Sequence, residues 1–133
     1  MISRYTRPEM SSIWDEAAQY ATWLEVELAA AEAMAELGNI PAEALENVRR
    51  AVPPDPERVL EIERRTSHDV IAFLEAIEEQ IGADARYLHL GLTSSDVLDT
   101  SLALRCVRAA DLLIAGCDDL VALFMAKALE YRD

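Results

Sequence analysis

The last third of the chain carries the pattern that most constrains its fold. From Ser94 or Ser95 to Tyr131 there is no proline, and the one glycine, Gly116, is isolated. This pattern predicts a single helix of about 36 residues, which is roughly 54 Å long. A compact domain of this chain length has a radius of gyration near ~14 Å and a diameter of roughly 36 Å. The predicted helix is therefore too long for the rest of the chain to cover.

The far half of this predicted helix is rich in large apolar side chains that need cover. They are Leu112, Leu113, Leu120, Val121, Leu123, Phe124 and Leu129. Either further copies of the chain supply a helix bundle, or the chain is the front part of a longer protein. The sequence stops at residues 131–133 in mid-pattern and without a helix stop signal, which favours the second interpretation.

The composition favours helices and argues against two classes of partner. Apolar residues make up 52% of the 133 residues, aromatic residues only 6%, and there are four glycines, which favours close-packed helices over a sheet. The net charge of −13 argues against binding to nucleic-acid backbones or to an anionic membrane surface. No apolar run approaches membrane-spanning length, and the start does not resemble a signal peptide.

The two cysteines bear on the cellular compartment. Cys106 and Cys117 lie on the same predicted helix, roughly 16 Å apart, which is beyond disulfide reach. We expect both to be buried thiols in a reducing compartment, and the protein to be cytoplasmic. The two histidines are far apart in sequence, and no His/Cys cluster has the spacing of metal ligands, so no metal site is predicted.

Proline and glycine divide the first two thirds of the chain into shorter predicted helices. These helices run from Asp15 to Leu37, from Pro41 to Ala51, from Pro56 to Arg65 and from Ser67 to Ile81, with Gly38 and Gly82 as stops. Residues 1–10 are predicted to be irregular apart from a turn at Pro8, and residues 83–94 to form an ordered loop. The chain is thus predicted to be all-α: a small helical N-terminal domain over residues 1–93, then over residues 94–133 the first long helix of a central helical bundle.

A five-residue phrase occurs twice, each time at a predicted helix start. Residues 66–70 read Thr-Ser-His-Asp-Val, and residues 93–97 read Thr-Ser-Ser-Asp-Val. In both phrases a Thr is followed three residues later by an Asp, which is the acidic variant of the capping box. A helix start also presents free N–H groups and the positive end of the helix dipole, which suit an anion. The two phrases are either ordinary caps or parts of a site for a ligand with several negative charges.

The second phrase belongs to a longer block that resembles a known family. Residues 89–100, His-Leu-Gly-Leu-Thr-Ser-Ser-Asp-Val-Leu-Asp-Thr, are similar to the first conserved block of the fumarase/aspartase superfamily in its adenylosuccinate lyase form. Arg4-Tyr5, the Trp-Leu-Glu-Val-Glu run at 23–27 and residues 66–70 agree with the same branch, so the resemblance extends from residue 1 to residue 133. The carboxymuconate cycloisomerases have a similar block at Thr93 and are the alternative within the superfamily.

The resemblance implies a reaction and a set of substrate-binding residues. The family eliminates fumarate from adenylosuccinate to leave AMP, acts also on the succinyl-carboxamide ribotide of purine biosynthesis, and is not expected to use a cofactor. The implied contacts are Arg4 and Tyr5 with the nucleotide phosphate, Ser67, His68 and Asp69 with the nucleotide, and Thr93 and Ser94 with a carboxylate of the succinyl group. An arginine beside a phenol suits a phosphate, and a hydroxyl-rich helix start suits a carboxylate.

His68 is the candidate for a catalytic role. In the first turn of a helix the dipole disfavours the imidazolium, whereas a nearby substrate anion favours it. A neutral donor, a charged partner of the phosphate, a proton-transfer group and a histidine that merely faces solvent all stay open at this point. His89, beside Tyr87 and Gly91, is predicted to stabilise its loop rather than to contact the substrate.

The resemblance also implies residues that this sequence lacks. The family's principal catalytic His lies in a Thr-His-Gly segment and its catalytic Ser in a mobile Gly-Ser-Ser loop, and the 133 residues contain neither. Family members are homotetramers whose active sites draw residues from three subunits. We therefore expect a nucleotide substrate, self-association through the long helix, and no lyase activity from these residues alone. The non-enzymatic alternative is an acidic helical module whose long helix serves to oligomerise.

Overall fold

The computed structural model describes residues 3–132, and this part of the chain is helical without a strand. The six α-helices are α1 Pro8–Trp14, α2 Glu16–Glu36, α3 Ala42–Val48, α4 Pro56–Thr66, α5 Asp69–Ile81 and α6 Ser94–Glu130. Two 3₁₀ segments, Ser3–Tyr5 and Gly82–Tyr87, precede α1 and follow α5. The predicted all-α class is confirmed. None of the described helices has both the length and the apolar character that crossing a membrane requires.

Short-range signals place the start of α4 and the end of α2 where the sequence predicts, whereas α3 ends at Val48 instead of Ala51 and α5 begins at Asp69 instead of Ser67. Asp55 caps α4 by accepting the backbone N–H of Glu57 at 3.1 Å, and the proline that follows it occupies the first helical position. After α2 the backbone of Gly38 turns into the left-handed region with a φ of 79°, which only glycine adopts without steric cost. The predicted cap and stop are therefore both confirmed.

The segment before α2 is more ordered than predicted. Pro8 begins a helix of seven residues rather than a single turn, and Asp15 then breaks the helix with an extended backbone and caps α2 by accepting the N–H of Ala18. The prediction of an irregular segment is wrong here because a seven-residue helix is too short to show a repeating apolar pattern. Residues 1–2, which were also predicted to be irregular, lie outside the described residues.

An aromatic cluster between α2 and α5 forms the centre of the core. Tyr20 and Trp23 meet edge-on with ring centroids 5.3 Å apart, and Phe73 stacks on Tyr20 at 5.9 Å. The buried face of α2 therefore passes through Tyr20, Trp23 and Ala31. Leu24 on the same helix is also buried, whereas Ala17 is exposed.

Helix α6 is continuous over 37 residues, as predicted, and only its first half packs on the domain. Its buried residues, Val97, Ser101, Arg105 and Ala109, recur every four residues and face α2 and α1. From residue 110 to residue 132 every side chain is exposed. The prediction that the far half needs cover from elsewhere is confirmed for the described residues.

The exposed part of α6 corrects the prediction for the cysteines. Cys106 and Cys117 are both exposed free thiols. Cys106 lies outside the buried stripe of α6, and Cys117 lies beyond the last buried residue of the helix. We expected burial because the helix is rich in apolar residues. The expectation is wrong because no other part of residues 3–132 covers either thiol.

Candidate functional site

The pair Arg4–Tyr5 lies on the surface in the first 3₁₀ segment. The guanidinium carbon of Arg4 lies 4.7 Å from the centre of the Tyr5 ring, in the range of a cation–π contact. Both side chains are exposed, and the Tyr5 side chain has 73% of its surface in solvent. A guanidinium and a phenol side by side are geometrically suited to donate to the oxygens of one phosphate.

The first of the repeated phrases is not the capping box that its sequence predicts. Helix α4 continues through Thr66, and Ser67 then adopts a left-handed conformation with φ 52° and ψ 31°. The residue that caps α5 is His68, whose Nδ1 lies 3.4 Å from the N–H of Ile71. The predicted box between Thr66 and Asp69 is wrong because the chain reverses over a single residue, which shifts the start of α5 to Asp69.

The geometry of His68 offers its Nδ1 two different partners. As the cap of α5, Nδ1 accepts an N–H and carries no proton, so the ring donates from Nε2. The same nitrogen lies 3.5 Å from Oδ1 of Asp69, a contact that is favourable only when Nδ1 is protonated. The ring is partly exposed, so both forms are within reach of a bound anion.

The second phrase forms the predicted capping box at the start of α6. The N–H of Thr93 donates to Oδ2 of Asp96 at 2.8 Å, and the two residues have the reciprocal arrangement of the box. Thr93 is exposed, and Ser94, the first residue of the helix, is half-buried. Two hydroxyls therefore lie at the positive end of a 37-residue helix, which is a favourable place for a carboxylate.

A buried contact between Glu27 and His89 holds the turn that precedes Thr93. Glu27 on α2 is completely buried, and its Oε2 accepts the backbone N–H of His89 at 2.6 Å. Its Oε1 lies 2.6 Å from Nδ1 of the same histidine. His89 has a φ of 59°, and the predicted role of His89 in stabilising its loop is confirmed. Glu27 was not predicted from the sequence as the partner of His89. A signal was present, because Glu27 lies on the same helix face as Trp23 and Ala31, and a charged residue on a buried face needs a polar partner.

A second feature of the turn brings it close to α2. Gly91 has a φ of 77°, and a Cβ atom at this position would lie 3.2 Å from the methyl carbon of Met34. Both the backbone conformation and the close approach favour glycine. The turn is therefore fixed against α2 at His89 and at Gly91, and this attachment determines where the hydroxyl of Thr93 lies.

The phenol of Tyr20 in the core interacts electrostatically with Asp69 in the 66–70 segment. Burial raises the pKa of the Tyr20 phenol, and the carboxylates of Glu16, Glu63 and Asp69 raise it further. The phenol therefore stays neutral throughout the physiological range. The side chains of His68 and Asp69 are exposed to similar extents, 44% and 46%.

The three groups of predicted site residues remain separate within this chain. No hydrogen bond or ion pair between side chains 4–132 connects Arg4–Tyr5, residues 67–69 and Thr93–Ser94. Each group presents donors to solvent from a helix end or a 3₁₀ turn. The same part of the chain contains no cluster of His, Cys, Asp and Glu that is able to hold a metal ion.

Comparison with known proteins reveals related sequences over almost the whole chain. Residues 3–133 match the protein family described as Lyase. The adenylosuccinate lyase of Synechocystis sp. is 49% identical and that of Bacillus subtilis 45% identical, each over 132 residues that cover 99% of this chain. The chain spans 31% of the length of each of these two relatives.

A solved structure has the same arrangement of helices. It is the 3-carboxy-cis,cis-muconate lactonizing enzyme from Pseudomonas putida, which superposes with a TM-score of 0.81 and is 26% identical. The superposition covers 96% of this chain and 31% of that enzyme. The helical architecture described above is therefore shared with a larger enzyme, of which it corresponds to about a third.

Proposed function

This chain belongs to the lyase family, and from that premise we propose that it is the N-terminal part of an adenylosuccinate lyase. The complete enzyme eliminates fumarate from adenylosuccinate to give AMP, and from the succinyl-carboxamide ribotide, in cytoplasmic purine biosynthesis. The observation that carries the proposal is the identity of 45–49% to two adenylosuccinate lyases over 99% of the chain. The identity to the muconate lactonizing enzyme is 26%, which makes the cycloisomerase alternative weaker.

In this proposal the exposed donors of the chain bind the anionic parts of the substrate. Arg4 and Tyr5 donate to the nucleotide phosphate, and the hydroxyls of Thr93 and Ser94 hold a carboxylate of the succinyl group. Ser67, His68 and Asp69 contact the nucleotide. The support is that all three groups present donors at the surface of a chain whose net charge is −13, so that an anion is attracted only where donors or positive charges are exposed.

The elimination needs a base for the β-proton, donors for the carboxylate of the carbanion and an acid for the leaving nitrogen. The start of α6 supplies donors that strengthen as negative charge develops on the carboxylate. His68, with two alternative partners for Nδ1, orients the substrate or transfers a proton. The main acid and base come from segments outside residues 1–133, so the isolated chain binds without catalysing.

The uncovered half of α6 fits an enzyme whose subunits share a helix bundle. We infer a boundary at residue 93, with the N-terminal domain before it and the first bundle helix over residues 94–133. The exposed apolar side chains of this helix include Leu113 with 62% and Phe124 with 64% of their surface in solvent. Contacts with the remaining bundle helices and with other subunits of a homotetramer bury such residues at a gain of about 1.5–3 kcal/mol each.

The same exposed face is the observation that favours the non-enzymatic alternative. A module that only oligomerises through α6 needs no donors at the helix starts and has no reason to respond to AMP or fumarate. Ligand response therefore separates the two functions. An enzyme segment requires that the complete protein turns over the nucleotide, whereas an assembly module requires only that the chains associate.

The decisive experiment is an assay of the complete protein encoded by the gene. We expect loss of adenylosuccinate absorbance with the complete protein, and none with residues 1–133 alone. Arg4→Ala should raise the Michaelis constant by about 10-fold or more, since a charged hydrogen bond contributes about 1.5–3 kcal/mol, and should leave the melting temperature unchanged. Arg50→Ala, at another exposed arginine, is the matched control and should change neither quantity.

Two results would contradict the proposal in different ways. A complete protein that associates but neither binds nor turns over adenylosuccinate is an assembly module. An Arg4→Ala protein that melts much earlier with an unchanged Michaelis constant shows that Arg4 is structural, and the assignment of the phosphate contact is then wrong although the lyase function stands.

A further inference from the structure

Arg105 is a buried charged side chain that connects α6 to the N-terminal segment. Only 8% of the residue is exposed. Its Nε donates to the carbonyl oxygen of Ile13 at 2.8 Å, and its Nη2 lies 3.4 Å from the carbonyl oxygen of Asp15. The guanidinium carbon also lies 5.0 Å from the centre of the Trp14 ring. These contacts go to the end of α1 and to the break between α1 and α2, and a further one, from Nη1 to Oε1 of Gln19 at 3.4 Å, goes to the first turn of α2.

One contact of Arg105 satisfies a carbonyl at the end of the short helix, and the other goes to the carbonyl of Asp15, which also accepts the N–H of Gln19 in α2. The last carbonyls of an α-helix have no partner within the helix, and Arg105 donates to one of them and to the residue that follows. Burial lowers the pKa of Arg105, and the charge of Asp15 opposes that shift. A buried guanidinium is costly unless its N–H groups are satisfied, so this arrangement ties the charge to one position of α1.

Helix α1 packs on α6 and α2, with Met10, Ile13 and Trp14 half-buried. None of its residues is fully buried, so α1 does not insert an apolar side chain into the core. Trp14 is half-buried and donates through its indole N–H to Met10 of the same helix. The guanidinium group of Arg105 contacts both the end of α1 and the N-cap residue of α2. It therefore holds α1 in position against α6.

The position of α1 determines where the first 3₁₀ segment lies. Tyr5 is three residues before Pro8, the first residue of α1, and proline fixes its own φ at that junction. A rigid helix of seven residues is roughly 10 Å long, so a rotation at its Arg105 end is transmitted to Arg4 and Tyr5. Displacements of this kind matter because a misplacement of about 1 Å can cost about 100-fold in an enzyme's efficiency.

We propose that Arg105 is a positioning residue for phosphate recognition: by clamping the end of α1 to α6 it holds Arg4 and Tyr5 where they meet the nucleotide phosphate. The inference rests on the proposed function, because it takes Arg4 and Tyr5 as the phosphate contacts. Arg105 itself is enclosed by α1 and α2 and does not touch the substrate.

The test compares AMP with adenosine as ligands of the complete protein. Arg105→Met keeps most of the side-chain volume and removes the fork, and should weaken AMP binding by about 10- to 100-fold. Adenosine lacks the phosphate, so its affinity should stay within about 2-fold. Arg105→Lys keeps the charge and one donor and should give an intermediate loss for AMP. Arg108→Met removes an exposed α6 arginine that pairs with Glu25 on α2, and as the matched control should change neither affinity.

A double-mutant cycle with Arg4→Ala decides whether the two residues act through one contact. If Arg105 acts by positioning Arg4 and Tyr5, the loss of AMP affinity in the double variant should be clearly smaller than the sum of the two single losses, because only the Tyr5 contact is left to disturb. Fully additive losses, or equal losses for AMP and adenosine, overturn the positioning role. Should Arg105→Met not fold, the same comparison with Arg105→Lys decides. If Arg4→Ala itself binds AMP normally, the phosphate assignment under the proposed function fails, and the positioning role fails with it.

Discussion

The carboxylate of Glu27 holds His89 by two contacts of 2.6 Å, one to the backbone N–H and one to Nδ1 of the ring. The two residues are 62 positions apart in sequence, and Glu27 has no solvent exposure. This pair fixes the turn that leads into α6 against the core of the domain. The location of the hydroxyls at the start of α6 therefore depends on a buried residue of α2.

Glu27→Gln should lower the free energy of unfolding by about 1.5–3 kcal/mol. A carboxylate accepts the backbone N–H of His89 and also a proton carried by Nδ1, whereas an amide has one acceptor, and its NH₂ group meets Nδ1 favourably only if the histidine changes tautomer. Urea denaturation measures the loss. The matched control is Glu25→Gln on the exposed face of α2, which removes a surface ion pair with Arg108 and should cost about 0.2–1 kcal/mol. Equal losses for both variants would mean that burial of the Glu27 pair adds nothing.

Ser67→Gly should raise the free energy of unfolding by about 1 kcal/mol. Ser67 has a φ of 52°, in the left-handed region where an L side chain costs about 1–2 kcal/mol and glycine does not. The gain is reduced by the greater freedom of glycine in the unfolded chain. Ser67→Val should instead be destabilising, because a β-branched side chain fits this conformation poorly. If both variants have the same stability as the unmodified chain, Ser67 is not strained.

Tyr20→Phe should make the domain more resistant to alkali. The pKa of Tyr20 is raised by burial and by three carboxylates, so the stability that the neutral phenol contributes is fully present below about pH 10, the unfolded value. It is lost as the pH rises through the higher folded pKa, because ionisation is easier in the unfolded chain. Denaturation at about pH 8 and about pH 11 should show a smaller loss for Tyr20→Phe than for the unmodified chain.

The control for this prediction is Tyr131→Phe, at a tyrosine with 72% of its surface exposed. That variant should lose as much stability in alkali as the unmodified chain. Alkaline losses of the same size in all three proteins would assign the effect to groups other than Tyr20.

Residues 1–133 should self-associate through the second half of α6. Sedimentation at high micromolar concentration should detect species larger than the monomer, because the exposed apolar side chains there gain about 1.5–3 kcal/mol each when buried. Replacing Leu113 and Phe124 by Glu should give a monomer with the same helix content. Leu60→Glu, on the exposed side of α4, is the control and should not change the association. A clean monomer of the unmodified chain, with this half still helical, would contradict the bundle interpretation.

The sequence by itself determined the features that depend on neighbouring residues. The box between Thr93 and Asp96 and the cap at Asp55 each act within a single turn, so their residue types suffice to predict them. The length of α6 follows from the absence of proline over residues 94–130. Because a helix of this length exceeds the diameter of the domain, the sequence also predicts that the second half of α6 is not covered by the rest of the chain. The predicted candidates for the site also came from the sequence, because they are carried by short motifs.

Only the tertiary structure decided which of two similar phrases forms a capping box. Thr66 has the same residue pattern after it as Thr93, but it lies in the last turn of α4, and packing of α4 against α5 leaves only Ser67 for the reversal. The buried partners Glu27 and Arg105 were likewise decided by packing, since their contacts join residues 62 to 92 positions apart. A charge is stable in the core only where distant groups supply its hydrogen bonds, and no local pattern specifies which distant groups those are.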